Sequence, residues 1–399
     1  MKVVQINAAC STGSTGRICQ GISEVLTQQG IENYILYASG QSSYPLSIKY
    51  ASDFEIKLQA LKSRILGNYG FNSRRITKRL LKHLEQIKPD IIHLHNLHGH
   101  NCHLGMLCDW IRHHQKKVVL TQHDCWAFTA YCPYFTLCKC DKWKACCSNC
   151  PLYKNASWFI DRSRELYERK GAAFDGLDLT VVTPSQWLAD LTKSSFLGKF
   201  SIKVINNGID LSVFKPTDSD FRERYMLKGK TILLGVAHQW SYRKGLDVFV
   251  DLSKVLDPHY QIVLVGTDAK IRRELPSNII AVDRTNSCKE LAEIYTVADY
   301  FINPTREENF PTVNIESLAC GTPVITFNTG GSPEIPDDKS GIVCTENNAH
   351  AIVKILNILK PKAHYAPDCL TRGLHFDQQK CFSKYIELYT NLLSLDKCL

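Results

Sequence analysis

Two glutamates separated by seven residues are the first groups in this sequence that could bind a phosphorylated, hydroxylated ligand. Glu308 and Glu316 lie between positions 300 and 333, where the residue pattern predicts strand, polar loop, helix, strand and Gly-rich loop. This pattern puts Glu308 ahead of the helix and Glu316 in its early turns. A helix start favours phosphate through its N–H groups and dipole, and carboxylates accept hydrogen bonds from hydroxyls. The stretch therefore predicts a nucleotide-sugar site.

Further candidate residues follow two predicted strands. Arg243 and Lys244 come after strand 231–236, and His123 comes after a strand at 118–120. Open α/β sheets bind ligands at the carboxyl ends of their strands, and two fixed cations there can neutralise a diphosphate. Taken alone, the cation pair also fits an ordinary helix entry at the surface, and the histidine also fits a residue that merely caps a loop.

The turn after the first strand contains two glycines. Gly13 and Gly16 precede a helix predicted from about Arg17 to Gln29. Such a turn can bring backbone N–H groups close to a ligand, but no GK[ST] follows and the dinucleotide pattern is incomplete. A tight turn that binds nothing is the alternative.

Cysteines are concentrated between positions 125 and 150, at Cys125, Cys132, Cys138, Cys140, Cys146, Cys147 and Cys150. Two close pairs, Cys138 with Cys140 and Cys147 with Cys150, have spacings that can supply four ligands to a tetrahedral structural zinc. Reduced thiols or a loop disulfide are the alternatives.

The segment from Lys57 to Lys82 is basic and amphipathic. It contains eight Lys or Arg residues and no acid, with apolar residues at helical spacing. This pattern is typical of a helix lying on an anionic membrane surface, and equally of a solvated basic face over a domain core. Nucleic acid is less favoured, because no recognised nucleic-acid module accompanies the charge.

Length and patterning predict an α/β protein of two domains. The chain has 399 residues, 44% of them hydrophobic, and a net charge of +9. No apolar run approaches the ~20 residues that span a bilayer, and the first residues resemble a strand rather than a signal peptide, so we expect a cytoplasmic protein. We expect domains at 1–207, with a Cys-rich insertion at 125–150, and 208–375, followed by an amphipathic helix at 376–399.

The second half resembles the large family 4 of retaining glycosyltransferases, which have the GT-B fold. The match consists of Glu308-NFPTVNI-Glu316, then Gly330-Gly331-Ser-Pro-Glu334, and it extends back to Arg243-Lys244-Gly245. The first half, with HLHN, HDCWAFT and the Cys/Trp segment, is similar to the polysaccharide-biosynthesis branch, such as the colanic-acid-type transferases. The resemblance implies two Rossmann-like, doubly wound domains, an active site in the cleft between them, and a C-terminal helix that returns to the first domain.

The resemblance also assigns roles to residues. It implies that Glu316 holds the ribose hydroxyls, that Glu308 and His123 contact the donor sugar, and that Lys244 contacts the phosphates. The donor-binding set comprises Gly13, Gly16, Arg243, Lys244, Glu316 and the backbone amides of Asn309, Phe310 and Thr312. The family's usual phosphate arginine is Gln239 here, and Arg243 is the candidate to compensate. No cofactor or catalytic metal is implied.

The function implied is transfer of a hexose, with retention, from a nucleoside diphosphate sugar to an undecaprenyl-diphosphate-linked glycan of bacterial surface polysaccharide. UDP is the first choice of nucleotide. The expected location is the cytoplasm, including the inner face of the plasma membrane. Two alternatives stand beside this hypothesis: a GT-B sugar-nucleotide epimerase, and a zinc-containing protein that binds nucleic acid.

Overall fold

The computed structural model describes residues 1–394, and the chain divides into two compact units. The first unit comprises Met1–Asn207 together with the segment that begins at Gln379, and the second comprises Gly208–Gln378. Each unit has its own parallel sheet, with helices in the connections. The chain is therefore an α/β protein with two doubly wound sheets.

The first unit contains a seven-stranded parallel sheet in the order β3-β2-β1-β4-β5-β6-β7. Its strands are β1 (Lys2–Ala9), β2 (Glu32–Ser39), β3 (Ser47–Lys49), β4 (Ile91–Leu94), β5 (Lys117–Thr121), β6 (Leu179–Thr183) and β7 (Ser201–Val204). Its helices within Met1–Asn207 are α1 (Gly13–Gln28), α2 (Asp53–Leu66), α3 (Arg74–Ile87), α4 (Leu104–His113), α5 (Ser163–Phe174) and α6 (Gln186–Lys193). The strand order reverses between β1 and β4, which makes their carboxyl ends the switch point of the sheet.

The second unit contains a six-stranded parallel sheet in the order β10-β9-β8-β11-β12-β13. Its strands are β8 (Thr231–Val236), β9 (Tyr260–Val265), β10 (Ile279–Val282), β11 (Tyr300–Asn303), β12 (Val324–Phe327) and β13 (Gly341–Cys344). Its helices are α7 (Phe221–Arg224), α8 (Leu246–Val255), α9 (Ala269–Glu274), α10 (Cys288–Val297), α11 (Thr312–Ala319), α12 (Ala349–Leu356) and α13 (Lys362–Gly373). The switch point here lies between β8 and β11.

The central strands are buried along their whole length. Every residue of β11 and of β12 is buried, and these strands read as nearly continuous apolar runs, YFIN and VITF. Parallel strands take this composition because helices cover both faces of the sheet. The apolar residues therefore form two clusters in this unit, one on each side of the sheet.

The last helix, α14 (Gln378–Ser394), packs on the first unit. Its buried aromatic residues join the apolar cluster that covers one face of the first sheet. The Tyr389 hydroxyl is 2.6 Å from His93 Nδ1, and the Tyr385 hydroxyl is 2.9 Å from Thr121 Oγ1. Two buried polar contacts therefore fix the helix against β4 and β5. The predicted continuation of this helix beyond Ser394 lies outside the described residues.

Most elements expected from the sequence are present, with shifted ends. Helix α1 begins at Gly13 rather than near Arg17, so both glycines that were expected to precede the helix lie in its first turn. Helix α13 was not expected, since Pro367 lies inside it and interrupts the helical pattern. Across residues 1–394, no helix combines the length and apolar character needed to cross a membrane.

Candidate active site

An ion pair between two loops marks the switch point of the second unit. Lys244 lies in the loop after β8, and Glu308 lies in the loop after β11, the neighbouring strand. The Lys244 ammonium donates to Glu308 Oε2, and the two side chains are only 21% and 13% exposed. Charged groups this deeply placed at the carboxyl ends of strands are candidates for ligand binding.

Charge, rather than burial, decides the protonation of Glu308. Burial by itself would raise the pKa of this carboxyl group, but the Lys244 ammonium and the nearby Arg243 guanidinium together hold that pKa below its usual value. The backbone N–H of Asn309 also donates to Glu308 Oε1 at 3.2 Å. Glu308 is therefore a carboxylate at neutral pH, suited to accept hydrogen bonds from hydroxyls rather than to donate a proton.

Two glycines allow the loops of this site to pack closely. A side chain on Gly330 would place Cβ 1.6 Å from the carbonyl oxygen of Glu308, and Gly330 has a positive φ of +58°. A side chain on Gly245 would meet the carbonyl oxygen of Pro304 at 2.3 Å. The backbone that carries Glu308 is thus held between the Gly-rich loop after β12 and the start of α8.

Arg243 supports the same loop from the opposite side. Its guanidinium Nη1 donates to the carbonyl oxygen of Glu307 at 3.0 Å, and its own carbonyl oxygen accepts from the Arg306 N–H at 2.8 Å. Gln239, where the family usually has its phosphate arginine, is exposed. The residues Lys244, Arg243, Glu308 and Asn309 from the predicted set are therefore brought together.

Glu316 occupies a different environment from Glu308. It is the fifth residue of α11 and is 2% exposed, and the Tyr295 hydroxyl donates to its Oε2 at 3.2 Å. Thr312 is the first residue of the same helix, while the Phe310 side chain packs against Phe376 with ring centroids 5.9 Å apart. The sequence-based placement of Glu308 before the helix and Glu316 inside it is confirmed.

Buried amides at the end of β11 were not predicted. Asn303 Nδ2 donates to Asn314 Oδ1 at 2.7 Å, and the Thr326 hydroxyl donates to the Asn303 carbonyl oxygen at 3.1 Å. Asn314 Nδ2 has no partner within the described chain. The only sequence signal was two asparagines, one at a strand end and one in the first turn of the following helix, and this pattern occurs in many proteins.

In the first unit, His123 ends a chain of buried hydrogen bonds. The Gln5 amide nitrogen donates to the Cys19 carbonyl oxygen at 2.9 Å, so Gln5 Oε1 accepts from His95 Nε2 at 3.0 Å. His95 Nδ1 must then accept from His123 Nε2, also at 3.0 Å. Burial is the main reason that the pKa of His123 is lowered to about 4. His123 is therefore a neutral imidazole at neutral pH.

A second histidine pairs with the carboxylate next to His123. His98 Nε2 lies 2.7 Å from Asp124 Oδ2, and the Trp126 N–H donates to Asp124 Oδ1 at 2.9 Å. Burial opposes ionisation of Asp124, but His98 and the Trp126 N–H outweigh it, so its pKa is lowered. His95, His98, His123, Asp124 and Trp126 line one small pocket beyond the ends of β4 and β5.

Gly13 and Gly16 follow β1 at the same edge of this sheet, but they lie in the first turn of α1 and not in a turn before it. Gly13 has a φ of +67° with open space around it, whereas a side chain on Gly16 would meet the backbone N of Ser11 at 3.2 Å. Gly16 thus lets α1 pack closely on the loop after β1. The direct role of Gly16 is this packing. If this segment contacts a ligand, the contact is made near Gly13, which has open space around it.

The thiols of the Cys-rich segment lie in different environments. Cys138 is exposed, and its thiol donates to the Phe135 carbonyl oxygen at 3.1 Å. Cys140, Cys147 and Cys150 instead line a small cavity together with Cys132, which we call the thiol cavity. Within residues 1–394, no three His, Cys, Asp or Glu side chains already stand in a metal-binding arrangement, and no cysteine of this range forms a disulfide.

Two family models and several curated relatives match the sequence of this chain. The family model for Glycosyltransferase Family 4 matches residues 15–213, and the model for Glycosyl transferases group 1 matches residues 230–360. The chain is 24% identical, over 98% of its length and 100% of the relative, to a putative colanic acid biosynthesis glycosyl transferase, WcaC, of Escherichia coli. It is 25% identical, over 51% of its length and 58% of the relative, to the N,N'-diacetylbacillosaminyl-diphospho-undecaprenol alpha-1,3-N-acetylgalactosaminyltransferase of Campylobacter jejuni.

A comparison of structures matches nearly the whole chain. The Anabaena protein Alr3699/HepE, solved in complex with UDP-glucose, superposes with a TM-score of 0.69. The match covers 99% of each chain at 14% identity. At this identity the similarity concerns the fold.

Proposed function

This chain belongs to glycosyltransferase family 4 and has the GT-B fold, and on that premise we propose that it transfers a hexose from a nucleoside diphosphate sugar to a lipid-linked oligosaccharide. The process served would be the assembly of bacterial surface polysaccharide, such as capsule, exopolysaccharide or O-antigen. The observation that carries the proposal is the partly buried Lys244–Glu308 ion pair beside Arg243, at the switch point of the second sheet.

The proposed chemistry assigns the leaving diphosphate to fixed positive charge. As the glycosidic bond of the donor breaks, negative charge grows on the diphosphate, and preorganised cations lower the energy of that transition state. Lys244 and Arg243 supply these cations together with the N-terminal end of α11, so we propose that catalysis needs no metal. Glu308 and His123 are assigned to the sugar, and Glu316 to the ribose.

UDP-glucose or a related UDP-hexose is our first choice of donor, supported by the UDP-glucose bound to the structurally similar Alr3699/HepE. The direct test is a screen of UDP-, GDP- and ADP-hexoses against the purified chain, with thermal shift and donor hydrolysis as readouts. Retention of the anomeric configuration is proposed from family resemblance, and NMR of the product's anomeric proton tests it.

Replacing Lys244 tests the mechanism. We expect Lys244→Ala to lower kcat by ~10²-fold, as does the loss of one key electrostatic donor in other enzymes. Lys254→Ala is the matched control, because this lysine lies on the exposed side of α8 and is 63% exposed. Turnover by Lys244→Ala that equals turnover by Lys254→Ala would contradict the assignment.

The alternatives give different products in the same assay. An epimerase would convert the UDP-sugar into a second UDP-sugar without any acceptor, and chromatography of one incubation would reveal it. A nucleic-acid-binding protein would show salt-dependent binding to DNA or RNA and no thermal shift with nucleotide-sugars. The nucleic-acid alternative leaves the partly buried Glu308 carboxylate, which faces Lys244 and Arg243 at the sheet switch point, unexplained.

An exposed apolar face on α2 supports a lipid-linked acceptor. Phe54, Leu58, Leu61 and Ile65 follow one another at intervals of four, three and four residues and are 75%, 39%, 44% and 41% exposed. This spacing puts them on one side of the helix. Exposed apolar residues in one row are unusual on a soluble surface and mark sites of interaction with membranes or proteins.

A neighbouring loop extends the same apolar surface. Trp158, Phe159 and Ile160 are 47%, 71% and 41% exposed. The Trp158 N–H donates to the Arg64 carbonyl oxygen at 2.7 Å, which holds this loop against the end of α2. We call Phe54, Leu58, Leu61, Ile65 and residues 158–160 the apolar face.

Nearby positive charge supports an anionic membrane as the partner, although the first turn of α2 also carries Asp53 and Glu55. Lys57 and Lys62 project from α2 between the apolar residues, and both are exposed. On α3, by contrast, the apolar side chains of Ile76 and Leu80 are buried and only the basic side is exposed. We therefore propose that α2 and the 158–160 loop enter the interface of an anionic bilayer while α3 adds charge.

Vesicle sedimentation tests the membrane proposal. We expect the chain to sediment with vesicles containing phosphatidylglycerol and not with pure phosphatidylcholine vesicles. A Phe54→Ser/Leu61→Ser variant should lose this binding, whereas Ile358→Ser, which removes an equally exposed apolar side chain in the second unit, should keep it. Equal binding by both variants would refute the proposal without affecting the donor assignment.

A further inference from the structure

Four cysteines of the first unit line one cavity, although three separate stretches of chain supply them. Cys132, Cys140, Cys147 and Cys150 all contribute to the thiol cavity, which has a volume of ≈ 20 Å³. This volume suits a single water molecule or ion rather than an organic ligand. The thiols of Cys132 and Cys150 are already in hydrogen-bond contact.

Backbone N–H groups point at two of these sulfurs. The N–H of Ala130 donates to the Cys147 sulfur, and the N–H of Leu152 donates to the Cys150 sulfur. A hydrogen bond from N–H to sulfur stabilises a thiolate more than a thiol, because it stabilises the negative charge. These two contacts therefore direct N–H groups at sulfurs that would carry negative charge once a metal ion is bound.

A buried lysine lies beside the cavity. Lys170 is fully buried, and its Nζ donates to the carbonyl oxygens of Trp126 and Thr129 at 2.7 and 2.8 Å. Burial lowers the pKa of Lys170 well below its usual value, and negative charge on the sulfurs of Cys147 and Cys132 would raise it. Four thiolates around a divalent ion carry a net charge of about −2, and a neighbouring ammonium offsets part of it.

The other cysteines of the segment point elsewhere. The Cys138 thiol donates to the Phe135 carbonyl oxygen, and the Cys146 thiol donates to the Cys147 carbonyl oxygen at 3.6 Å. Cys125 is buried in the main core cluster. The thiol cavity therefore selects four of the seven cysteines, and Cys132 takes the place that sequence spacing assigns to Cys138.

The chain around the cavity contains little regular secondary structure that could fix its conformation. Between the 3₁₀ turn at Trp126–Phe128 and α5, only two further 3₁₀ turns occur, at Lys142–Lys144 and Tyr153–Asn155. A long segment of this kind is uncommon in a compact domain unless something fixes it. A bound metal does so directly, because the free energy of binding the ion adds to the free energy of folding.

From these contacts we infer that Cys132, Cys140, Cys147 and Cys150 form a tetrahedral site for one structural zinc ion. The Cys147-x-x-Cys150 pair has the ligand spacing of structural zinc sites, and four sulfur ligands select zinc or an iron–sulfur cluster. The small cavity favours a single ion. Each cysteine has one side-chain torsion, so sulfurs that line one cavity can turn toward a common ion as zinc displaces their four protons.

Metal analysis of the full chain tests this inference. The protein is purified with a thiol reductant and without metal-chelating resin, and its metals are measured by mass spectrometry. We expect about one zinc per chain, and X-ray absorption with four sulfurs at about 2.3 Å. Absence of zinc, or iron with a visible absorption band, would overturn the inference.

Two variants distinguish this ligand set from the one predicted by spacing. After dialysis against a chelator, Cys132→Ser should retain no more than about one tenth of the zinc that the wild type retains. Cys138→Ser should retain as much zinc as the wild type. The opposite result would refute the assignment. If Cys132→Ser does not fold, the wild type is titrated with a mercurial thiol reagent, and released zinc is measured with a chromogenic chelator. We expect zinc to be released as the cavity thiols react. Reaction of the thiols without release of zinc would refute the site.

Discussion

Removing the ammonium group of Lys244 leaves the Glu308 carboxylate largely buried without its main counter-ion. The Glu308 side chain is only 13% exposed, so water can replace the lost partner only in part. Loss of one member of a buried pair destabilises proteins by about 3–5 kcal/mol. We expect Lys244→Ala to fall at the lower end, about 3 kcal/mol, because the Arg243 guanidinium continues to act on Glu308.

The pH dependence of this loss follows from the sign of the pKa shift. In the wild type the folded pKa of Glu308 is below its ordinary value of 4.5, so the ion pair stabilises the fold at neutral pH and is lost as pH falls through that folded pKa. Without Lys244, burial dominates and raises the pKa. The difference in unfolding free energy between variant and wild type should therefore be largest at neutral pH and shrink in acid.

Urea unfolding followed by far-UV circular dichroism measures these free energies, and Glu308→Gln provides the control. The double variant Lys244→Ala/Glu308→Gln has no unpaired buried charge, so it should be more stable at neutral pH than Lys244→Ala alone. A cost below about 1 kcal/mol for Lys244→Ala, which is the range of exposed ion pairs, would refute our reasoning. Failure of Glu308→Gln to restore stability would refute it equally.

Two further predictions concern glycine and histidine. Gly330→Ala should lower stability more than Gly229→Ala, measured as urea midpoints: both have positive φ, which costs about 1–2 kcal/mol, but only Gly330 would clash with the Glu308 backbone. Equal costs would contradict this explanation. Burial lowers the pKa values of His93, His95 and His123, so below pH 6.5 these histidines bind protons in the unfolded chain but not in the folded chain. The free energy of unfolding should therefore decrease as the pH is lowered, by about 2 kcal/mol per histidine near pH 5. Acid titrations by circular dichroism check this, and a flat profile would contradict it.

Local patterns in the sequence were enough to predict the α/β class and the position of the two glutamates, whereas the GT-B fold was predicted from the family resemblance. Strands β8 and β11 and the placement of Glu308 ahead of α11 follow from apolar runs, turns and helix starts, which depend on residues close in sequence. The Lys244–Glu308 ion pair joins residues 64 positions apart, and no local pattern specifies it.

Tertiary neighbours decided two other questions that the sequence left open. Helices α2 and α3 both combine basic residues with apolar residues at helical spacing, yet α3 buries Leu80 while α2 exposes Phe54. Similarly, the spacing of Cys138 and Cys140 predicts a ligand pair, but the chain turns Cys138 outward and places Cys132 at the cavity. Composition and spacing are the same in both outcomes, so only the packed structure can tell them apart.

The position of α14 has a consequence for the order in which the chain folds during synthesis. Val3, Ile22 and Val182 belong to the cluster that α14 covers, so this face of the first unit stays open to water while the ribosome makes the second unit. The second unit is continuous in sequence and can complete its core first. The nascent chain therefore carries an uncovered apolar surface until Tyr385 and Tyr389 emerge and reach their partners.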